Sequence, residues 1–256
     1  MLLFDAGNSR CKWAWVENDL WSRQGVLDNR DDAAWAELST TFAGLASPGQ
    51  ILVSNVADDE VDRRLQGLGD IWNCPVKKIV AQNFQCGVSN AYEQPAQLGS
   101  DRWAALIGAW NHVQQACLVV NCGTATTVDA LSDKGKFIGG LILPGVALMQ
   151  RSLLEGTSRL SQEVSRLAGL VHDFPTNTAD AISSGVIYAT TGAIRQQHAL
   201  LAEKYSVRCI VSGGAANILI THLGFPVEQI ENIVLRGMQL IGQDCLRKTS
   251  TGTVSR

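Results

Sequence analysis

The sequence contains 256 residues, 46% of them hydrophobic and 18% charged, which is enough for one large domain or two modest ones with full cores. Its net charge of −3 argues against a nucleic-acid partner, since nucleic-acid binders usually carry clustered positive charge. Apolar runs stop well short of the roughly 20 residues that a membrane span requires, and Asp5 and Asn8 interrupt the first one. The 7 cysteines are scattered and never spaced CxxC. We therefore expect a cytoplasmic protein with reduced thiols, no membrane partner and no zinc site.

The first half of the chain predicts three strands followed by alternating helices and strands. Short apolar runs indicate the strands, and acidic first turns are typical of helix starts. The predicted strands are Met1–Asp5, Lys12–Val16, Leu20–Leu27, Ile51–Ser54 and Val76–Val80. The predicted helices are Asp31–Phe42, Asp58–Leu68 and, after a loop at Gln82–Gly99, Ser100–Gln114 with Ser100 as its cap.

The second half repeats this order. Its predicted strands are Leu118–Asn121, Thr126–Leu131, Phe137–Leu143 and Cys209–Ser212. Its predicted helices are Gly145–Leu154, Thr178–Tyr205, one from Gly214, and a closing helix Leu235–Leu246. Three strands followed by alternating helix and strand is the order of a ribonuclease-H-like domain. We therefore predict an α/β fold of two duplicated ribonuclease-H-like domains, residues 1–115 and 116–256, with a cleft between them.

The repeat is also visible in the residues that follow the first strand of each half. Leu2–Ser9 matches Leu118–Ala125 at an offset of 116 residues: three apolar residues, Asp5 or Asn121, one residue, a glycine, then small residues. A glycine turn can converge its amide N–H groups on an anion. Ordinary hairpin turns are the alternative for either turn alone, but the pair with a strand-end acid favours phosphate.

Side chains beside these turns add to the phosphate interpretation. Asp5 is suited to hold Mg²⁺ through water, because Mg²⁺ prefers oxygen ligands. Lys12 can offset phosphate charge, and hydroxyl groups can donate hydrogen bonds; these are on Ser9, Thr124 and Thr126. We interpret a third cluster, Ser212-Gly213-Gly214, as a wall for the adenosine ring. Tight packing of a helix on a strand is the alternative, and the cluster alone favours neither.

The segment Gly99-Ser100-Asp101-Arg102 joins the long loop to a helix and is the candidate for chemistry. Phosphoryl transfer requires alignment, charge neutralisation and a base for the alcohol proton, and Asp101 suits the base while Asp5 suits the metal. Arg102 offers a planar donor fork for a carboxylate. The alternative is that Asp101 only stabilises the start of the helix.

Together these residues resemble the type III pantothenate kinases, a family of the acetate and sugar kinase and actin-like ATPase superfamily. The resemblance covers nearly the whole chain, and several motifs in the right order carry it. They are Asp5–Ser9, Gly99–Arg102, Gly123–Thr127, Gly139–Gly145, Asn177-Thr178 and Ser212–Gly214.

The resemblance implies transfer of phosphate from ATP to pantothenate, giving 4′-phosphopantothenate in the first step of coenzyme A biosynthesis, by a homodimer. It implies that ATP contacts Asp5, Ala6, Gly7, Asn8, Ser9, Arg10, Cys11, Lys12 and Thr124. It implies that pantothenate contacts Tyr92, Gly99, Ser100, Asp101, Arg102 and Thr178, with Asp101 as the proton acceptor. Tyr92 as an ordinary loop aromatic and Asn177-Thr178 as an ordinary helix cap remain alternatives.

The sequence departs from the family pattern at Asn121, where the family commonly has an acid that helps to hold K⁺ or NH₄⁺. An amide offers an oxygen without charge, so we expect weaker dependence on a monovalent cation. Asp129 is nearby in the sequence and is the candidate to substitute for the missing acid. Two other functions stay open. One is a regulatory role like that of the Bvg accessory factors of the same family, and the other is a different small-molecule kinase of the superfamily. The segment Gly99–Arg102 argues against the latter.

Overall fold

The computed structural model describes residues 1–155 and 169–251. The chain forms two compact units, one of Met1–His112 with Asn232–Arg256 and the other of Val113–Glu231. Among the described residues, no helix is both long enough and apolar enough to cross a membrane.

A five-stranded sheet forms the centre of the first unit, in the order β3-β2-β1-β4-β5. Its strands are β1 (Leu2–Ala6), β2 (Arg10–Glu17), β3 (Leu20–Asp28), β4 (Ile51–Asn55) and β5 (Val76–Lys78). The strands β1, β2 and β3 are antiparallel, whereas β4 is parallel to β1 and β5 is parallel to β4. The helices α1 (Asp32–Ala43) and α2 (Asp59–Asp70) begin after the caps Asp31 and Asp58, each of which accepts a backbone N–H three residues later. Leu2, Phe4, Ile51 and Val53 belong to the core cluster that includes buried residues of both helices.

The segment predicted as a loop at Gln82–Gly99 contains regular structure. It forms an antiparallel pair, β6 (Phe84–Gln85) and β7 (Val88–Asn90), and a 3₁₀ turn at Pro95–Gln97, before α3 (Ser100–Val113). The buried Trp103 of α3 donates its indole N–H to Gln85 Oε1 at 3.0 Å. This bond joins the short hairpin to α3, and neither strand is long enough to show a periodic pattern in the sequence.

The second unit repeats the sheet order of the first. Its strands are β8 (Cys117–Cys122), β9 (Ala125–Leu131), β10 (Lys136–Pro144), β11 (Arg208–Ser212) and β12 (Glu228–Gln229). They lie in the order β12-β11-β8-β9-β10, so the third, second, first, fourth and fifth strands are neighbours in both units. The helices are α4 (Val146–Glu155), α5 (Thr178–Ala202) and α6 (Ala216–Ile220). The duplicated α/β fold predicted from the order of elements is therefore confirmed.

The closing helix α7 (Ile233–Thr251) corrects the predicted domain boundary, which assigned all of 116–256 to the second half. The structure groups residues 232–256 with the first unit. Glycines allow α7 to approach α3 closely, since a Cβ at Gly237 would lie 1.7 Å from the carbonyl oxygen of Ala104, and one at Gly108 would lie 2.7 Å from that of Ile233. Met238 is fully buried in this arrangement.

The close approach of α3 and α7 predicts a large effect of one methyl group. We expect Gly237→Ala to lower the free energy of unfolding by about 3 kcal/mol, because the methyl group forces the backbones of the two helices apart. Gly67→Ala on α2, where no atom lies within 4 Å of the added Cβ, is the control and should raise stability by about 0.5 kcal/mol. Urea unfolding measures both, and equal midpoints for the two variants would contradict the packing argument.

Candidate active site

The first glycine turn, residues 7–10, connects β1 to β2 and begins two residues after Asp5. The Gly7 N–H donates to the Arg10 carbonyl oxygen at 3.0 Å, and Asn8, Ser9 and Arg10 are exposed. The residues on either side of the turn differ from it in burial: Ala6 and Cys11 are buried, whereas Gly7 and Lys12 are half-buried. The turn therefore presents backbone to solvent at the end of a buried strand, as an anion site requires.

The pKa of Asp5 is well above the usual value for an aspartate. Burial, the charge of Asp101 and, in the opposite direction, Lys12 together raise the pKa of Asp5 to about 7. Lys12 is the cross-strand partner of Asp5 on β2. Because the charge of Asp101 affects the pKa of Asp5, the predicted metal ligand and the predicted base lie in one electrostatic environment within the first unit. A cation bound at Asp5 would relieve both the desolvation and the repulsion, so this residue fits a Mg²⁺ site.

Asp101 lies in the first turn of α3 with its carboxylate folded over the helix start. Its Oδ1 accepts the backbone N–H of Arg102 at 2.8 Å. A Cβ at Gly99 would lie 2.6 Å from the same Oδ1, so only glycine leaves room for the carboxylate in this position. Ser100 was predicted as the cap but is the first helical residue, and its Oγ lies 2.9 Å from that of the buried Ser54 on β4.

Arg102 and Tyr92 contact each other. The buried guanidinium donates to the Tyr92 hydroxyl at 2.9 Å and lies 5.9 Å from the centre of its ring. Asn90 fixes the backbone beside Tyr92, because its Oδ1 accepts the Tyr92 N–H at 3.0 Å and its Nδ2 donates to the Pro95 carbonyl at 3.2 Å. Tyr92 is therefore held against Arg102, which favours a role in the site over that of an ordinary loop aromatic.

The second glycine turn, residues 123–125, follows Asn121 on β8. The Gly123 N–H donates to the Ala125 carbonyl at 3.0 Å, and Thr124 is exposed. Asn121 pairs with Ser212 on β11, just as Asp5 pairs with Ser54 on β4, so the predicted equivalence of the two strand-end residues is confirmed. Thr126 differs from Thr124 because it is fully buried, which argues against its expected contact with a ligand.

The two glycines after β11 have different surroundings. Gly213 has φ +99°, and a Cβ there would lie 2.4 Å from the Cys122 carbonyl oxygen, so it packs tightly on β8. Gly214 is exposed with open space around its Cα. The tight-packing alternative therefore holds for Gly213, and only Gly214 leaves room for a flat ring.

Thr178 is the first residue of α5 and is exposed. Asn177 caps this helix, since its Oδ1 accepts the Asp180 N–H at 3.0 Å and its Nδ2 donates to Asp180 Oδ2 at 2.7 Å. The helix-cap alternative is thus correct for Asn177. Thr178 instead lines an apolar groove of about 480 Å³ between α4 and α5, together with Met149, Leu153 and Ile182.

Comparison with known proteins shows which family the chain belongs to. A family model described as type III pantothenate kinase matches residues 1–199. The chain belongs to the type III pantothenate kinase family. A protein of Nitrosospira multiformis with that name is 43% identical and covers 100% of this chain and 95% of its own length. Another, of Aromatoleum aromaticum, is 41% identical over 95% of this chain and 98% of its own length.

Membership of the type III pantothenate kinase family confirms the predicted family and, with it, the predicted class of enzyme, a kinase. Solved structures agree on the fold. A protein of Campylobacter jejuni described as a Baf family transcriptional activator aligns with a TM-score of 0.58 at 21% identity, covering 96% of this chain and all of that one. An activator of 2-hydroxyisocaproyl-CoA dehydratase from Clostridium difficile aligns with a TM-score of 0.53 at 10% identity, covering 100% and 98%. At these identities the likeness shows the fold alone.

Two residues near the site were not predicted from the sequence. Asn29 bonds to the first glycine turn, and Ser54 bonds to Ser100 at the start of α3. Asn29 had one available signal, since the offset of 116 residues that relates Asp5 to Asn121 also relates Asn29 to Gly145. Ser54 had none beyond its position at the end of a strand.

The pKa of Asp5 predicts how stability depends on pH without nucleotide or metal. The pKa is raised from 3.8 to about 7, so between these values the folded chain binds more protons than the unfolded chain. The contribution of Asp5 to the free energy of unfolding is therefore complete below about pH 4 and is lost as the pH rises through 7. Asp5→Asn cannot ionise, and its stability relative to wild type should rise by at most about 4 kcal/mol from pH 4 to pH 8. Urea unfolding at several pH values tests this, and parallel curves for the two proteins would refute it.

Proposed function

We propose that the chain transfers the γ-phosphate of ATP to the primary hydroxyl of pantothenate, giving 4′-phosphopantothenate, the first step of coenzyme A biosynthesis. Membership of the type III pantothenate kinase family supports the reaction. The observation that carries the assignment of residues is the pair of carboxylates of Asp5 and Asp101, which share one electrostatic environment.

The nucleotide side of the proposal uses the two glycine turns. In the first unit ATP contacts Asp5, Ala6, Gly7, Asn8, Ser9, Arg10, Cys11 and Lys12, and in the second it contacts Thr124. The exposure of residues 8–10 and of Thr124 supports this, because their backbone is open to a ligand. Lys12 adds positive charge beside Asp5. Gly214 with its open surroundings is the part of the third glycine cluster that suits the adenosine ring.

Asp101 and Asp5 have different roles in the proposed chemical step. Asp101 accepts the proton of the pantothenate hydroxyl as the oxygen attacks phosphorus, and the Arg102 N–H at 2.8 Å holds its carboxylate in place. Asp5 would hold Mg²⁺ through water, and the ion when bound would neutralise phosphate charge. A cation bound at Asp5 would reduce the repulsion between the two carboxylates.

The pantothenate side uses Tyr92, Gly99, Ser100, Asp101, Arg102 and Thr178. Arg102 is 5% exposed, and the hydrogen bond to the Tyr92 hydroxyl fixes the position of its guanidinium group. A fixed positive charge of this kind suits the recognition of an anionic substrate. Gly99 gives access beside Asp101, because it carries no side chain. Thr178 offers a hydroxyl at an exposed helix start.

Removing the proposed base tests the assignment of Asp101. We expect Asp101→Asn to lower pantothenate-dependent turnover by about 10²–10⁴, because the amide cannot accept the proton, while binding of MgATP persists. A coupled assay of ADP release measures turnover with pantothenate and with a panel of sugars and acetate. Asp133→Asn in the exposed turn after β9 is the matched control and should behave as wild type. Unchanged turnover in Asp101→Asn would leave Asp101 with a helix-stabilising role alone.

We also propose that K⁺ or NH₄⁺ acts only weakly here, since Asn121 offers an oxygen without charge. Turnover of the wild type should change at most several-fold on adding K⁺, and Asn121→Asp should enlarge that ratio, because a carboxylate attracts the ion more strongly. The coupled assay with and without K⁺ measures both. An absolute requirement for the ion in the wild type would contradict the proposal. It would point to the buried Asp129, two residues from Thr127, the cross-strand partner of Asn121.

A homodimer is the assembly that we propose. The apolar groove between α4 and α5, with Leu148 and Leu153 exposed beside it, supports a covered surface there. Sedimentation should give twice the mass of one chain, and Ala181→Arg in this groove should lower it, because a buried unpaired charge is costly. Ala36→Arg on the exposed side of α1 is the control. A monomeric wild type at micromolar concentration would end the proposal.

A further inference from the structure

Three of the four carbonyl oxygens of the first glycine turn, those of residues 7, 9 and 10, accept hydrogen bonds. The Arg10 oxygen accepts the Gly7 N–H at 3.0 Å, and the Ser9 oxygen accepts the backbone N–H of Asn29 at 3.0 Å. The Gly7 oxygen accepts the side-chain Nδ2 of Asn29 at 2.6 Å. Asn29, which follows β3 directly, thus bonds two of these three oxygens.

These bonds determine which backbone groups face outward. In a trans peptide the carbonyl of one residue and the N–H of the next point in opposite directions, and the described part of the chain contains no cis peptide. Since the Gly7 and Ser9 carbonyls point to Asn29, the N–H groups of residues 8 and 10 point away from it. Asn29 is 7% exposed, whereas residues 8–10 are exposed, so these N–H groups point away from the buried side of the turn.

Asn29 is itself fixed from the core. Its carbonyl oxygen accepts the indole N–H of the buried Trp35 at 3.3 Å, and Asp31, two residues later, caps the helix that carries Trp35. The Oδ1 of Asn29 is buried and has no partner in the described part of the chain. A buried acceptor without a partner costs about 1–3 kcal/mol, so fold stability alone does not explain an asparagine here.

The second unit contains the same arrangement without the side chain. Gly145 follows β10 as Asn29 follows β3, and its N–H donates to the Thr124 carbonyl at 2.9 Å. A Cβ at Gly145 would lie 2.3 Å from the Gly123 carbonyl oxygen, so a side chain has no room there. The backbone bond from the residue after the third strand therefore recurs in both turns, whereas the side-chain bond is specific to the first.

We propose that Asn29 is a positioning residue for the nucleotide, holding the Gly7 and Ser9 carbonyl oxygens of the first glycine turn inward so that the amide N–H groups that follow them face the phosphates of ATP. The inference rests on the proposed function only in taking ATP as the ligand, not in the identity of the acceptor. The inference depends on the hydrogen bond that the Asn29 side chain donates to the Gly7 carbonyl oxygen. Substitutions that remove this donor should weaken phosphate binding, and the extent should depend on the residue introduced.

Two substitutions separate positioning from packing. Asn29→Ala deletes the donor and frees the Gly7 carbonyl to turn toward the phosphates. Asn29→Asp keeps the shape, but an ionised carboxylate only accepts hydrogen bonds, so it repels both the Gly7 oxygen and the phosphates. Positioning predicts that the aspartate variant is the worse of the two, whereas packing predicts that it is the better, because it fills the same space.

Calorimetry with MgATP and with magnesium tripolyphosphate, in the absence of pantothenate, tests this order. We expect both ligands to bind about tenfold more weakly to Asn29→Ala than to wild type and about 100-fold more weakly to Asn29→Asp. The KM for pantothenate at saturating ATP should not change. Gln50→Ala, which removes another buried amide at the far end of β1, is the control and should bind both ligands as wild type does.

Wild-type affinity in Asn29→Ala, or an aspartate variant that binds as well as the alanine variant, would overturn the inference. If thermal melting shows that Asn29→Asp does not fold, the comparison of Asn29→Ala with Gln50→Ala decides alone. A wild type that binds MgATP but does not phosphorylate pantothenate would refute the proposed function and leave the inference standing. A wild type that binds neither magnesium ligand would refute the inference.

Discussion

The carboxyl group of Asp5 connects the fold of the first unit to its chemistry. β1 is buried, so the residue at its end loses water, and the charge of Asp101 adds to the cost of ionisation. Both effects favour a proton or a cation at Asp5. In the proposed function, the glycine turn that follows offers amide N–H groups to an anion. A ligand that carries phosphates and a divalent cation together therefore satisfies both ends of this short segment, which neither partner would do alone.

The order of strands and helices was predictable because each signal is local. Short apolar runs gave the strands, and Asp31 and Asp58 gave the helix starts that the structure shows as caps. The repeat was predictable for the same reason, since Asp5 and Asn121 each end a first strand and precede a glycine turn. The family motifs lie on these turns and on the start of α3, so the positions of the candidate residues followed from the sequence.

Other features depend on contacts between residues far apart in the chain. The bond from Asn29 to Gly7 spans 22 residues, and nothing in the sequence around Asn29 distinguishes it from an ordinary residue before a helix. The hairpin β6–β7 consists of strands of two and three residues, too short for a periodic pattern. Ser100 was expected to cap α3, but its hydroxyl pairs with Ser54 in a contact that spans 46 residues. Such contacts between distant residues cannot be predicted from the local sequence.

The return of α7 to the first unit has a consequence for synthesis on the ribosome. The glycines at 108 and 237 allow α3 and α7 to pack backbone to backbone, and α7 is made last. The second unit, residues 113–231, is continuous and can close its core as soon as it emerges. The first unit is therefore begun before the second but completed after it. The surface of α3 that α7 covers stays exposed while more than a hundred further residues are translated.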